Sequence, residues 1–468
     1  MNKIQASNPF FEIYSTPHGT VPFNLIKTEH YAPAIHEGIR RQNGEIDAII
    51  NNPDAPTFEN TIVPYEKSGE LLHRVNTVFG NLLSAETDDE LQELAREIMP
   101  LMSEHENNIS LNEKLFARIK TVYELADKAK LTPEQSKLLE DIYTGFVRNG
   151  ANLQGDAKEQ YRNLCKELSL LTLQFSENTL KETNDYRLVL TEKSQLSGLP
   201  ESAIDAAAET AQEKGVEGWV FTLHAPSYSP FMTYADNRDL RRELYMAYNT
   251  KCTHDNACNN LEIVKKIANI HMEIARLLGY DNFAEYNLKE RMAQNSDTVY
   301  KLLNQLLEAY TPTAQKEYDE VQALARSEEG ADFILMPWDW SYYSQKLKDR
   351  KFSINDEMLR PYFELSKVKE GIFGLASKLY GITFKKNADI PVYHKDVEAY
   401  EVFDKDGTYL AVLYTDFHPR TGKRSGAWMT SYKGQWIDEA SGENSRPHVS
   451  IVMNFTKPTQ NTPALLTF

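Results

Sequence analysis

The sequence predicts a mainly α-helical protein that carries a small β-sheet near its C-terminus. Three observations predict this fold class: helical spacing of apolar residues dominates to about residue 390, proline and glycine are concentrated in the connections, and β-rich runs follow. Of the 468 residues, 41% are hydrophobic and 25% are charged, as in an ordinary globular protein. A chain of this length buries a large core, in two or more domains or in one large helical body.

The predicted helices carry recognisable start and stop signals. Thr132 is a candidate N-cap because Pro133 follows it at the first helical position. Gly279 supplies a stop signal for the helical pattern of residues 259–280 (NNLEIVKKIANIHMEIARLLGY). Between them, one stripe of an amphipathic helix is formed by Tyr161, Leu164, Cys165, Leu168, Leu171 and Phe175.

Strand patterns replace helical patterns after about residue 387. Two β-rich runs flank Lys405, Asp406 and Gly407, which is a strong hairpin signal. Two further strand-like runs follow, with the sequences GAWMTSY and HVSIVMNF. Together these four runs predict a small antiparallel or mixed sheet.

Charge and composition limit the partners and the compartment. The formal net charge is −17, and basic residues alternate with acidic ones, so we expect no nucleic-acid partner. No stretch reaches the ~18 consecutive apolar residues of a spanning helix, so we expect no membrane partner. The N-terminus has no signal-peptide pattern, and Cys165, Cys252 and Cys258 form no disulfide framework. These features favour a cytoplasmic location, or a periplasmic one if a signal sequence has been removed.

Short motifs identify no catalytic centre. Every histidine–glutamate pair lacks the second histidine of an H-E-x-x-H zinc motif, and no nucleotide-binding loop is present. Cys252, His254 and Cys258 do not share one helix face, so we favour a solvent-facing helix start with incidental thiols over a metal site. We interpret residues 420–426 as a basic hairpin loop rather than an anion cradle. We interpret the aromatic residues at 338–343 as packing of one domain against another rather than as a ligand cage.

Longer segments carry a family resemblance. Residues 275–293 (ARLLGYDNFAEYNLKERMA), 339–384, 416–429 (DFHPRTGKRSGAWM) and 452–468 (VMNFTKPTQNTPALLTF) resemble zinc metallopeptidases of the thimet oligopeptidase, oligopeptidase A and peptidyl-dipeptidase family. The resemblance covers essentially the whole chain and looks closest to the bacterial peptidyl-dipeptidase (dipeptidyl carboxypeptidase) branch. It implies a helical, two-lobed body with a channel that admits short peptides, which are the expected partners.

On the basis of this resemblance, we predict an N-terminal helical lobe at residues 1–230 and the front part of the catalytic domain at residues 231–468. The family also implies zinc, held by an H-E-x-x-H helix and a later glutamate, with the motif's glutamate activating the metal-bound water. In the family, that helix follows the segment matching residues 463–468. We therefore expect a truncated catalytic lobe that has no catalytic residue, no metal ligand and no catalytically bound zinc.

The resulting hypothesis is a member of a peptide-cleaving family whose 468-residue polypeptide is inactive by itself. Two alternatives stay open at this point. One is a split peptidase that a separate C-terminal fragment completes by docking. The other is a non-catalytic helical protein that binds peptides or acts as a scaffold.

One set of candidate substrate-binding residues follows from the resemblance: Ser425, Gly426, Ala427 and Trp428. In the family, the matching edge strand lies beside the metal and pairs with the substrate backbone, which gives binding that tolerates many sequences. Gly426 and Ala427 are small enough for a peptide backbone to come close. A core-anchoring role for Trp428 is equally consistent with the sequence.

The C-terminal residues are unusually apolar for a chain end. We expect Leu465, Leu466 and Phe468 to lie on uncovered apolar surface. Exposed apolar area costs about 25 cal/mol per Å², so this arrangement predicts self-association of the chain.

Overall fold

A computed structural model of the chain describes residues 8–127, 130–438, 441–459 and 462–466. Within these ranges the protein is mainly α-helical, which confirms the predicted fold class. The helices up to residue 213 are α1 (Tyr31–Ile50), α2 (Val63–Lys67), α3 (Glu70–Ala85), α4 (Asp89–Ser110), α5 (Glu113–Leu125), α6 (Pro133–Arg148), α7 (Asp156–Asp185) and α8 (Glu201–Glu213). The later helices are α9 (Ala225–Tyr234), α10 (Arg238–Asn249), α11 (Leu261–Leu277), α12 (Phe283–Leu288), α13 (Ser296–Glu329), α14 (Trp340–Phe352), α15 (Asp356–Leu359) and α16 (Leu365–Tyr380).

The helix signals in the sequence correspond to real helix ends. Thr132 caps α6, because its hydroxyl accepts a hydrogen bond from the Gln135 backbone while the Gln135 side chain accepts one from the Thr132 backbone. Helix α11 is followed by Gly279, whose φ of +85° suits the left-handed turn that ends a helix. Helix α7 buries Tyr161 from the predicted stripe, whereas Phe175 near its other end is exposed.

The strands form one main sheet and two small pairs. In chain order they are β1 (Leu188–Leu190), β2 (Trp219–Phe221), β3 (Thr383–Lys386), β4 (Glu398–Phe403), β5 (Tyr409–Asp416), β6 (Trp428–Lys433), β7 (Trp436–Ile437), β8 (Asn444–Ser445) and β9 (His448–Val452). The main sheet has the order β3-β4-β5-β9-β6, with β5 and β9 parallel and the other neighbours antiparallel. The predicted hairpin is confirmed as β4 and β5, and the sheet is mixed. The β1–β2 pair was not predicted.

Helices from the beginning of the chain cover this sheet. Asn81 on α3 donates a hydrogen bond to the Tyr432 hydroxyl on β6 and accepts one from the Thr430 hydroxyl. Phe23 packs edge-on against Tyr414 and Tyr432, with ring centroids 6.0 and 5.5 Å away. One apolar core therefore includes residues from both predicted lobes. The predicted division at residues 230 and 231 falls inside α9 and stays a prediction.

The aromatic residues at 338–343 pack against neighbouring elements, whereas packing of one domain against another stays a prediction. Tyr342 and Tyr343 are buried, and their rings lie edge-to-face with centroids 5.0 Å apart. The Arg241 guanidinium lies 4.0 Å from the Tyr342 ring centroid and donates to Asp339 Oδ1 at 3.0 Å. Both members of this ion pair are almost fully buried, so α10 is fixed firmly to the start of α14.

The cysteine-containing segment before α11 differs from its prediction. Cys252 and Cys258 are buried, whereas His254 is exposed, so the expectation of solvent-facing thiols was wrong. The segment is a series of turns that closes when the backbone N–H of Asn260 donates to the Cys252 carbonyl at 2.7 Å. Burial raises the pKa of both thiols, that of Cys252 to about 12, which keeps them protonated and weakly nucleophilic.

The C-terminal residues are tied down more than the sequence suggests. Leu465 forms a bridge with Glu364, and the backbone N–H of Leu466 donates to the Phe363 carbonyl at 2.9 Å. Both leucines are half-buried, so the expectation that they lie uncovered was only partly correct. Phe468 lies outside the described residues. Across the described ranges, no helix has the length and apolar character needed to cross a membrane.

Candidate functional site

The outer edge of β6 is the feature closest to the predicted substrate-binding residues. Strand β6 pairs with β9 on one side and is the last strand of the main sheet. Its side chains alternate: Thr430 and Tyr432 face α3, whereas Met429 is exposed. In the described part of the chain, no backbone group pairs with its other side. The sheet therefore ends in an unpaired row of backbone donors and acceptors.

The structure places the four predicted residues at the beginning of this strand. Trp428 is its first residue, whereas Ser425, Gly426 and Ala427 precede it and are exposed. The strand thus starts later than the sequence suggested. Trp428 is half-buried and lies under the Arg424 guanidinium, 4.4 Å from the ring centroid, so it is not a fully buried core residue. Whether these four residues bind a peptide stays a prediction.

The backbone at Gly426 explains why glycine is suited to this position. Its φ is +102°, a conformation that side-chain-bearing residues rarely adopt. A Cβ atom built there would have no neighbouring atom within 4 Å, so the space next to the backbone is open. Another chain could therefore approach the backbone closely at this point.

A buried ion-pair network lies beneath the β6 loop, which we define as residues 417–427. Lys423 and Asp416 are both fully buried, and Lys423 Nζ donates to Asp416 Oδ1 at 2.8 Å. Arg420 adds a two-pronged contact to the same carboxylate, with both distances 2.8 Å, and Tyr393 donates its hydroxyl at 2.8 Å. The lysine also donates to the carbonyl of His418 at 2.9 Å. These contacts close the loop into a compact turn.

Electrostatics keep this network charged near neutral pH. Burial alone would raise the pKa of the Asp416 carboxyl, but hydrogen bonds from Arg420 and Lys423 outweigh it and lower that pKa. Burial is also the main effect on Lys423 and lowers the pKa of its ammonium group to about 8, against the attraction of Asp416. The interpretation of residues 420–426 as a basic hairpin loop was wrong, because the segment connects β5 to β6, which are not neighbours in the sheet. Two of its basic residues, Arg420 and Lys423, are also largely buried.

The β6 loop is also joined to the α3–α4 turn. The backbone N–H of Arg424 donates to the Ser84 carbonyl at 2.9 Å, and that of Thr87 donates to the Gly422 carbonyl at 2.8 Å. A Cβ atom at Gly422 would lie 2.3 Å from the Thr87 carbonyl oxygen, so only glycine permits this approach. The Asn184 amide donates to the Thr421 carbonyl at 2.9 Å. The α3–α4 turn, which is far away in sequence, thus fixes the position of Gly422 and Arg424.

The described residues do not fit the zinc ion that the family resemblance implies. Among them, no three histidine, cysteine, aspartate or glutamate side chains lie close enough together to hold a metal ion. The carboxylate nearest the β6 loop, Asp416, is occupied by Arg420, Lys423 and Tyr393. We therefore assign no chemical step to a metal held by these residues.

Comparison with known proteins decides the family. The model of peptidase family M3 matches residues 231–468. Dipeptidyl carboxypeptidase of Escherichia coli K12 is 35% identical over 461 residues, which are 98% of this chain and 67% of that protein. The chain belongs to peptidase family M3. The resemblance stated from the sequence is thereby confirmed.

Other relatives of this M3 chain show similar coverage. Oligopeptidase A of Escherichia coli K12 is 34% identical over 456 residues, which are 97% of the chain and 67% of that protein. A solved structure of PZ peptidase A with inhibitor 2 has a TM-score of 0.44 and 16% identity, covering 97% of this chain and 62% of that one. The M3 chain spans about two-thirds of the length of the two Escherichia coli peptidases.

Sequence reasoning missed the residues that hold the β6 loop of this M3 chain. Asp416 ends a strand and stands four residues before Arg420, but this spacing predicts an ion pair only on a helix, and these two residues lie outside any helix. Nothing in the sequence indicated that Lys423 is fully buried. The contribution of Asn454, which donates to two carbonyls of the loop, was also missed.

Proposed function

We propose that this M3 chain binds short peptides by main-chain pairing along the free edge of β6, with Ser425, Gly426, Ala427 and Trp428 at the beginning of the binding surface. The observation that carries the proposal is the unpaired outer edge of β6, next to an exposed loop with open space at Gly426. In pairing of this kind the hydrogen bonds form to backbone amide groups, so peptides with many different side chains can bind. Membership of a peptidase family supports a peptide as the ligand.

We further propose that the 468-residue polypeptide by itself neither binds catalytic zinc nor hydrolyses peptides. The absence of H-E-x-x-H from its sequence supports this proposal. Family zinc chemistry would then need residues that this sequence does not supply. The division into lobes at residues 1–230 and 231–468, and a cytoplasmic location, are part of the same proposal.

Calorimetry with a blocked hexapeptide of alternating alanine and threonine tests this function. We expect binding without hydrolysis, because the edge strand offers hydrogen bonds but no activated water. A matched peptide with N-methyl groups on alternate amides should bind at least about tenfold more weakly, since it loses main-chain donors. Equal binding of both peptides would contradict edge pairing. Chelator-sensitive cleavage of a blocked tripeptide by the purified chain would contradict the proposed inactivity.

Self-association is a second proposal, favoured by exposed apolar faces on two helices. On α16, the side chains of Ile372, Leu375 and Leu379 are 61%, 58% and 64% exposed and share one face. On α13, Leu307 and Tyr310 are 66% and 65% exposed. Burying such faces against a second copy is favourable by about 25 cal/mol per Å².

We expect light scattering to show an average molecular mass that rises with protein concentration. The double substitution of Ile372→Lys and Leu379→Lys should reduce that rise. The charged side chains would have to be buried in the contact, which is unfavourable. Leu125→Lys is a matched control, because Leu125 is 78% exposed at the end of α5 and lies outside both faces. A monodisperse monomer at all concentrations would refute the proposal.

A further inference from the structure

Asn454 anchors the β6 loop just before the edge strand begins. Its side-chain Nδ2 donates to the Arg424 carbonyl at 3.1 Å and to the Gly426 carbonyl at 2.8 Å. The backbone N–H groups of its two neighbours, Met453 and Phe455, donate to the end of β5 and the residue after it. These backbone bonds continue the pairing of this segment with β5, while the Asn454 side chain bonds to the β6 loop.

The two anchored carbonyls determine where the adjoining N–H groups point. A trans peptide group directs its N–H opposite to its C=O, and the described chain has no cis peptide bonds. Because the carbonyls of Arg424 and Gly426 turn toward Asn454, the N–H groups of Ser425 and Ala427 point away from it. Neither N–H donates to any group in the described ranges, and both residues are exposed.

We propose that Asn454 is a positioning residue that holds the N–H groups of Ser425 and Ala427 ready to donate to main-chain carbonyl oxygens of a short peptide. The inference rests on the proposed peptide binding and adds two named donors ahead of β6. Fixing both donors before the peptide arrives reduces the conformational entropy lost on binding. Gly426, between the two donors, carries no side chain that would cover them.

Fluorescence anisotropy of the labelled alanine–threonine hexapeptide on the full 468-residue chain tests this inference. Asn454→Ala should weaken binding about tenfold, since it releases two hydrogen bonds that order the loop. Asn454→Asp should weaken binding at least as much, because its carboxylate would face two carbonyl oxygens without a donor. Asn184→Ala is the matched control: it also loses one side-chain hydrogen bond to this loop, but at Thr421, and should bind within about twofold of the wild type.

A spectroscopic readout separates positioning from a general loss of stability. With 5-fluorotryptophan in place of the five tryptophans, the Trp428 resonance should shift or broaden in Asn454→Ala, because Arg424 covers that ring. The Trp219 resonance should stay unchanged. Wild-type binding by Asn454→Ala, or equal weakening by Asn184→Ala, would overturn the positioning role while leaving the proposed function intact. Failure of the wild type to bind the peptide would overturn both.

Discussion

We expect Asp416→Ala to lower the free energy of unfolding by about 3–5 kcal/mol, which is the cost of leaving a buried charge without its partner. The substitution would leave Lys423 fully buried with no carboxylate and would remove both contacts of Arg420 to that side chain. Burial already lowers the pKa of Lys423 to about 8, so its ammonium group depends on Asp416 to stay charged. Urea denaturation followed by circular dichroism measures the change.

The matched control for this prediction is Asp141→Ala, which removes the carboxylate of an exposed ion pair with Lys137 on α6. We expect a far smaller change in unfolding free energy there, because water replaces the lost partner. The double substitution Asp416→Leu with Lys423→Met should recover part of the loss, since it removes both buried charges. A loss below about 1 kcal/mol for Asp416→Ala would show that the network contributes little.

Acid should destabilise the protein through His448, which is buried on β9 at 2% exposure. Burial lowers the pKa of this histidine to about 4, with Lys433 on β6 and His18 adding repulsion. The folded state thus resists protonation that the unfolded chain accepts at a pKa near 6.5. As pH falls from about 6.5 to 4, the free energy of unfolding should therefore decrease, by roughly 3 kcal/mol in total from this group.

His448→Gln should remove most of this pH dependence, because the glutamine amide does not titrate in this range. The amide also keeps a polar partner for the Tyr409 hydroxyl, which lies 3.1 Å from His448 Nε2 in the wild type. His36→Gln is the matched control, since His36 is exposed on α1. Urea midpoints between pH 4 and pH 7 provide the measurement. If the urea midpoint of His448→Gln depends on pH as strongly as that of the wild type, other groups cause the acid sensitivity.

The helices and the sheet could be predicted because their signals are local. Thr132 with its capping box, Gly279 after α11 and the hairpin at Lys405, Asp406 and Gly407 all act within a few residues. The β1–β2 pair was missed because its strands are three residues long and 28 residues of other structure separate Leu190 from Trp219. The burial of Cys252 and Cys258 depends on packing against residues that are distant in the sequence, which the spacing of apolar residues does not predict.

The candidate site was only partly predictable for the same reason. Its position at the beginning of an edge strand came from family resemblance, and the structure places Trp428 there. The groups that fix it are spread along the chain: Asp416 at the end of β5, Lys423 within the β6 loop and Asn454 beyond β9. Lysine in a sequence usually indicates exposed surface, so a fully buried Lys423 gives no signal until the fold brings Asp416 to it.

The packing of α3 on β6 has a consequence for synthesis of the chain. Asn81 and Tyr432, which are hydrogen-bonded, lie 351 residues apart. At translation rates of about 5–20 residues per second, a ribosome completes α3 roughly 20 to 70 seconds before it reaches β6. During that interval the side of α3 that carries Asn81, including Val78 one turn before it, has no sheet to cover it. We therefore expect this side of α3 to stay exposed to water until β6 has been synthesised.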